Sequence, residues 1–222
     1  SSTISYVLAP RINAAGRMGK AELAAELFLT KDPVRAQALA AELCEQNKLR
    51  QNEENKILEQ TLTRLRREYN PLEDKIIVLA GEGWHQGVIG IVCSRLCDRY
   101  GCPVVLISVD EDGVGKGSGR SIGSFNLFEA LTSCEDLFER YGGHALAAGL
   151  TVQADRIEEL RTRLRKYAET HVTMAELVPQ LHIDCMVQSE WLTQENIESL
   201  SVLEPYGMKN AEPVFVSKLR RL

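Results

Sequence analysis

The chain has 222 residues, 44% of them hydrophobic and 26% charged, an ordinary globular composition with room for one large or two modest cores. Its formal charge is −5 and its pI about 5.5, so a nucleic-acid partner would have to be met by local basic patches. No window approaches the roughly 18 apolar residues of a membrane span, and the start, SSTISYVLAPRINAAG, lacks the charged-then-apolar order of a signal peptide.

Residues 1–19 are dense in glycine, proline and arginine and predict a loop. Ala21 to Leu29 reads as an amphipathic helix with Leu23, Leu27 and Phe28 on one side. Asp32-Pro33 then supplies an N-cap and a first-turn proline, and neither Gly nor Pro recurs until Pro71. That predicts one long helix of about 55 Å at 1.5 Å per residue. Its ends carry apolar positions (Val34, Leu39, Leu43; Ile57, Leu58, Leu62, Leu65), whereas Cys44 to Asn55 is polar nearly all round. Such a middle predicts a connector that crosses solvent between domains.

After Pro71 the periodicity changes. Lys75 to Ala80 reads as a buried strand, Gly81 to Gly87 as a glycine-rich loop, and Val88 to Tyr100 as a helix ended by Gly101-Cys102-Pro103. Val104 to Ser108 is a second buried strand, and the turn chemistry of Asp110 to Gly113 makes it a hairpin with the stretch from Val114. Phe125 to Ser133 reads as helix, Tyr141 to His144 as loop, Ala147 to Val152 as strand, and Asp155 to Tyr167 as a helix capped by Asp155. The alternation predicts an α/β domain over residues 72–170. Beyond Pro179, Leu181 to Val187 alternates like a half-buried strand, Thr193 caps a helix to about Leu200, and Glu212 to Leu219 reads as another strand. The chain stops straight after that strand and begins inside a glycine and arginine motif, which reads as a piece of a larger protein.

The six cysteines predict free thiols in the absence of a secretory signal. Cys93, Cys97 and Cys102, with His85 as a fourth candidate, form the one cluster to weigh as a zinc site. Cys93-x3-Cys97 lies within an apolar helical pattern and no second Cys-x2-Cys follows, so small buried hydrophobes is the favoured reading.

Three segments hold more glycine and polar reach than folding requires. Gly83-Trp84-His85-Gln86-Gly87 sits between a strand and a helix N-terminus, where unpaired N–H groups meet anions. No Gly-Lys-[Ser/Thr] closes it, so it is not a Walker A loop, and a tight turn with packed Trp84 is the plainer alternative. Gly115-Lys-Gly-Ser-Gly-Arg-Ser121 carries Lys116, Ser118 and Arg120 toward one face with glycines between, which suits a phosphodiester backbone. A solvated edge strand is the competing reading. Gly142-Gly143-His144 lets an imidazole and nearby N–H groups reach a ligand, though a turn with an ordinary histidine has the same sequence. Arg11 and Arg17 add two cations in Pro10 to Arg17. Together these predict a site for a phosphate-bearing polyanion at the C-terminal ends of α/β strands, with nucleic acid the leading case. They do not specify a reaction. Arg64 to Arg67 suits a helix C-terminus, Arg161 to Lys166 a solvated face, and Trp191 and Tyr206 core packing.

On these residues the chain resembles bacterial single-strand-specific exonucleases of the DHH phosphoesterase family. The similar stretches are Ala9 to Met18, Gly83 to Val92, Gly115 to Ser121, Gly142 to Gly149, and Leu203 to Phe215, in order along the chain. The resemblance implies an α/β fold: the tail of a catalytic DHH domain over 1–31, a long connecting helix over 32–70, a DHH-associated substrate-binding domain over 71–172, and an incomplete OB-fold β-barrel over 178–222. It implies 5′-to-3′ hydrolysis of single-stranded DNA with Mn2+ or Mg2+ in repair and recombination. The metals would activate water and stabilise the leaving oxygen, held by aspartates and histidines that include an Asp-His-His triplet. No such triplet occurs here, and His85, His144, His171 and His182 are isolated, so the metal would be bound by an absent N-terminal domain and the fragment alone would be inactive. His144 carries over as the catalytic group at the scissile phosphate. Ser118, Arg120, Gly142 and Gly143 carry over as substrate-binding residues, with Lys116 and Ser121 beside them, and Arg11, Arg17, Trp84 and His85 around the same cleft. The OB-fold would track the following nucleotides. The expected partners are single-stranded DNA, with single-strand-binding protein and a helicase as protein partners, in a monomeric cytoplasmic protein with no membrane. A phosphodiesterase for short oligonucleotides and a non-catalytic DNA-binding scaffold of the same architecture remain alternatives.

Overall fold

A computed structural model describes residues 3–71, 73–178, 181–207 and 209–218. Chain contacts divide into two units, Ser1–Val178 and Pro179–Leu222. The first unit opens with helices where the glycine, proline and arginine content predicts a loop. A single π-type turn at Ile4–Leu8 runs into α1 (Ala9–Arg17). Pro10 falls in the first turn of α1, where its missing N–H has no intrahelical partner to lose. Tertiary packing decides the rest: Ala14 and Ala15 are buried, and Ala15 joins a small core with Leu23, Ala24, Leu39 and Leu43. Helix α2 (Ala21–Leu29) has the expected bounds. Helix α3 (Pro33–Glu68) starts where the Asp32 carboxylate accepts the Val34 N–H at 2.9 Å.

The next elements are β1 (Ile77–Glu82), α4 (Gln86–Tyr100), β2 (Val104–Val109), β3 (Val114–Arg120), α5 (Leu127–Thr132), β4 (Phe138–His144), β5 (Ala147–Gln153) and α6 (Ile157–His171). They build a five-stranded sheet in the order β1-β2-β3-β5-β4. The pair β1–β2 is parallel, joined across α4, and the remaining pairs are antiparallel. The β2–β3 turn forms as expected, with the Asp110 carboxylate accepting the Val114 N–H at 2.8 Å and Gly113 at φ +77°. Strand β1 begins two residues later than its apolar run predicts. Tyr141 to His144 belongs to β4 and is not a loop, because Gly142 and His144 pair with Gly149 and Ala147 across the β4–β5 hairpin. Asp155 does not cap α6; a 3-10 turn over Ala154–Arg156 leads into that helix instead.

The polar middle of α3 is the main departure. Gln46, Asn47 and Glu54 are buried, and the Glu54 carboxylate bridges Arg50 of its own helix and Arg95 of α4, the latter at 2.8 Å. A stretch that reads as solvent-crossing is partly an ionic seam against α4. Leu39 and Leu43 of the same helix lie in the small core, while Ile57 and Leu65 lie in the large core beneath the sheet.

In the second unit, the Thr193 hydroxyl accepts the Asn196 N–H at 3.3 Å and caps α7 (Gln194–Ser199). The two long strands expected there reduce to β6 (Cys185–Met186) and β7 (Phe215–Val216), paired in parallel, and Leu219 lies outside the described residues. No described residue of this unit is buried beyond an intermediate level. A parallel pair this short is not a β-barrel hairpin, so the start of an OB-fold is not confirmed. Among the described residues no helix is long and apolar enough to cross a membrane.

Candidate functional site

Strand β3 separates two chemistries. Gly115, Gly117 and Gly119 face the core. A Cβ on each would come within 2.8 Å of Ile107, 2.8 Å of Leu150 and 2.7 Å of Leu127, respectively. These glycines therefore answer to packing from β2, β5 and α5. Lys116, Ser118 and Arg120 occupy the alternate positions and share the opposite face.

Across that face the register lays out three rows. Arg120 stands beside Ala147 and His144; Ser118 beside Gly149 and Gly142; Lys116 beside Thr151 and Arg140. The middle strand contributes little bulk at the first two rows, so a shallow trough runs between β3 and β4. Two inter-strand spacings separate Arg120 from His144, roughly 10 Å between backbones. Arg120 donates to the Ser118 hydroxyl at 3.2 Å and to the Gly119 carbonyl at 2.7 Å, which fixes its guanidinium along the strand.

The exposed His144 ring is oriented by its neighbour. Its Nδ1 accepts the Leu146 N–H at 3.2 Å, so the neutral ring carries its proton on Nε2 and presents a donor away from the backbone. His85 repeats the device as the N-cap of α4, where Nδ1 accepts the Gly87 N–H at 3.1 Å. Gly143 holds the β4 end in place at φ +149°, where a Cβ would press on the Ala147 carbonyl and come within 2.6 Å of Ala148 Cα.

Two glycines one turn apart on α4 bring the remaining parts close. A Cβ on Gly90 would lie 2.9 Å from the Ser118 hydroxyl and 3.2 Å from the Arg120 guanidinium. A Cβ on Gly87 would collide with the Arg17 carbonyl, and Arg17 donates to the Gly87 carbonyl at 3.2 Å. Residues three apart on a helix are neighbours at about 5–6 Å, so the Arg17 end of α1 and the Ser118–Arg120 end of β3 sit along one ridge. This arrangement offers a phosphate charged donors from Arg17 and Arg120, hydroxyl and imidazole donors from Ser118 and His85, and the N-terminus of α4.

Not every candidate joins it. Trp84 is buried at 4% exposure, with its indole N–H donating to Gln60 at 2.7 Å and its ring occupying the space that Gly81 leaves open. It is a buried residue of the α3–β1 junction, where it lines an open pocket together with Gln60, Arg64 and Glu82. Arg11 donates to the Val7 carbonyl within its own helical segment. The Ser121 hydroxyl is committed to the Phe125 carbonyl at 2.8 Å. Lys116 is exposed and available. Sequence reasoning missed Gly90 and Arg140: the first hides inside a helical apolar pattern, and the second enters the site only through β4 pairing. Cys93, Cys97 and Cys102 are buried. The Cys93 thiol donates to the Ser118 carbonyl at 2.9 Å, and burial pushes its pKa up to about 12. Among the described residues no group of three or more His, Cys, Asp or Glu side chains is arranged to hold a metal ion.

Known proteins are similar to this chain in sequence and fold. A family model for the DHHA1 domain matches residues 73–170. The chain is 39% identical over 212 residues to the single-stranded-DNA-specific exonuclease RecJ of Bacillus subtilis, covering 95% of this chain and 27% of that protein. It is 38% identical over 213 residues to the Thermus thermophilus protein of the same name, covering 96% and 30%. The crystal structure of Thermus thermophilus RecJ in complex with Mn2+ superposes with a TM-score of 0.86 at 36% identity, over 97% of this chain and 31% of that one; a Mg2+ complex gives 0.84. The chain spans about a third or less of the length of these relatives.

Proposed function

As a RecJ-type chain built around a DHHA1 domain over residues 73–170, this protein supplies, we propose, the substrate-binding part of a 5′-to-3′ single-stranded-DNA-specific exonuclease acting in repair and recombination. The observation that carries the reading is the row Arg120–Ala147–His144 beside Ser118–Gly149–Gly142. A charged planar donor and an Nε2–H donor flank a trough floored by Ala and Gly, with α4 beside its Arg120 edge, which fits an extended phosphodiester strand. Arg120 binds a phosphate by charge-assisted hydrogen bonds, and Ser118 orients that guanidinium. His144 donates from Nε2 to a phosphate oxygen where charge builds during cleavage. Arg17 and His85, at the start of α4, meet a neighbouring phosphate, with Lys116 and Arg140 extending the positive track.

The Mn2+ or Mg2+ belongs to sequence outside this chain, and the chain alone cuts nothing. The protein is cytoplasmic and monomeric, and single-strand-binding protein and a helicase are the protein partners to test. The first experiment is fluorescence anisotropy of a labelled single-stranded DNA across a salt series, with Mn2+ present. Binding is expected to weaken steeply with salt and to occur without cleavage. Arg120→Ala is expected to lower affinity about tenfold or more and to reduce the salt slope by about one. Absence of binding at low salt, or cleavage by this chain alone, would overturn the reading. Equal affinity for dinucleotides and long strands would favour a phosphodiesterase for short oligonucleotides instead.

A further inference from the structure

The turn that carries His144 is held from outside its own hairpin. Only Ala145 and Leu146 separate β4 from β5 there, and the segment after β3 takes hold of both. The Leu127 N–H donates to the Ala145 carbonyl at 2.9 Å, and the Ser121 N–H donates to the Leu146 carbonyl at 2.9 Å. The peptide groups of Leu146 are thus engaged at each end: its carbonyl by Ser121, its N–H by Nδ1 of His144. Ser121 is itself fixed, because its hydroxyl donates to the Phe125 carbonyl at 2.8 Å. Phe125 is 1% exposed and packs edge-on against Tyr167 with ring centroids 5.9 Å apart. A continuous set of contacts therefore runs from the core, through Phe125, Ser121 and Leu146, to the imidazole.

We propose that Ser121 is a positioning residue for His144: through Leu146 it fixes the imidazole in the Nε2–H form that faces the trough, and it does not itself contact phosphate. The family resemblance groups Ser121 with the substrate-binding strand, yet its hydroxyl hydrogen already has an acceptor inside the loop. The neighbouring residues divide the labour accordingly: Arg120 meets the ligand, and the next residue in sequence aims a side chain on a different strand. The inference rests on the nucleic-acid reading for its consequence in binding, but not for its effect on the ring.

The test reads the ring and the ligand separately. In the 15N-labelled chain without DNA, at a pH where the ring is neutral, the His144 nitrogens are expected to report the Nε2–H tautomer alone. Ser121→Ala is expected to give a mixture of tautomers and to weaken single-stranded DNA binding severalfold with an unchanged salt slope. Ser121→Thr keeps a hydroxyl and is expected to restore both, which separates positioning from a general loss of fold. A direct phosphate contact would behave oppositely: Ser121→Ala would leave the tautomer alone and alter the contacts to DNA. An unchanged tautomer in Ser121→Ala overturns the proposal. Loss of all DNA binding by the unmodified chain overturns the nucleic-acid reading and leaves the tautomer result standing by itself.

Discussion

The two faces of β3 obey different constraints. On the core face, each of three glycines sits under a side chain from a neighbouring element, so any larger residue meets atoms within 3 Å. On the other face, Ser118 and Arg120 stand beside Gly149 and Ala147 and close to Gly90 of α4, while Lys116 stands exposed beside Thr151. A glycine-rich polar strand thus carries two independent messages in alternate letters. Glycine here reports close packing, and the polar residue between glycines reports the opposite face, the one proposed to meet the ligand.

That contrast can be broken or sharpened by substitution. The largest effect is expected at Gly143, which combines positive φ with a backbone carbonyl in the way of any Cβ. Gly143→Ala should cost about 3 kcal/mol, seen as a lower urea midpoint with little change in slope. Gly117→Ala should cost about 1–2 kcal/mol, since Leu150 Cδ1 lies 2.8 Å from the new methyl group but is a side chain that can shift. If Gly117→Ala proved neutral and yet lowered DNA affinity, the assignment of the glycine face to packing would fail. Arg120→Ala should do the reverse, weakening DNA while leaving stability within about 0.5 kcal/mol.

The smallest effect concerns the end of the polar face that α4 covers. Burial pushes the thiols of Cys93, Cys97 and Cys102 up to about 12, about 11 and about 12. Iodoacetamide at pH 8 should therefore modify exposed Cys185 first and spare these three until urea is added, as counted by mass spectrometry. Raised native values mean that the folded state holds its thiol protons longer than the unfolded chain does. Stability should accordingly fall as pH climbs past about 8.5, the ordinary thiol value.

Local signals in the sequence are legible where one short stretch holds the whole cause. Asp32 caps α3, Asp110 and Gly113 make the β2–β3 turn, and Thr193 caps α7, each through bonds within a few residues. The misreadings share a long-range cause. Glu54 looks solvated because Arg95 is far along the chain, and Gly142 to His144 looks like a loop because its partner strand comes after it. The N-terminal stretch looks irregular because Ala14 and Ala15 become apolar contacts only once Leu39 and Leu43 lie against them. The site behaves likewise: Lys116, Ser118 and Arg120 were readable from period-two alternation, whereas Gly90 and Arg140 needed the assembled sheet.

Helix α3 carries a consequence for how the first unit comes apart. Its early turns close a cluster of five buried residues among those described, and its later turns enter the large core. A cluster of that size cannot offset the entropy of ordering two short helices on its own. It borrows order from a rod already nucleated at the other end, because extending a formed helix avoids the cost of starting one. The small core and the sheet should then melt together as a single cooperative transition, with α3 acting as the thermodynamic link between them.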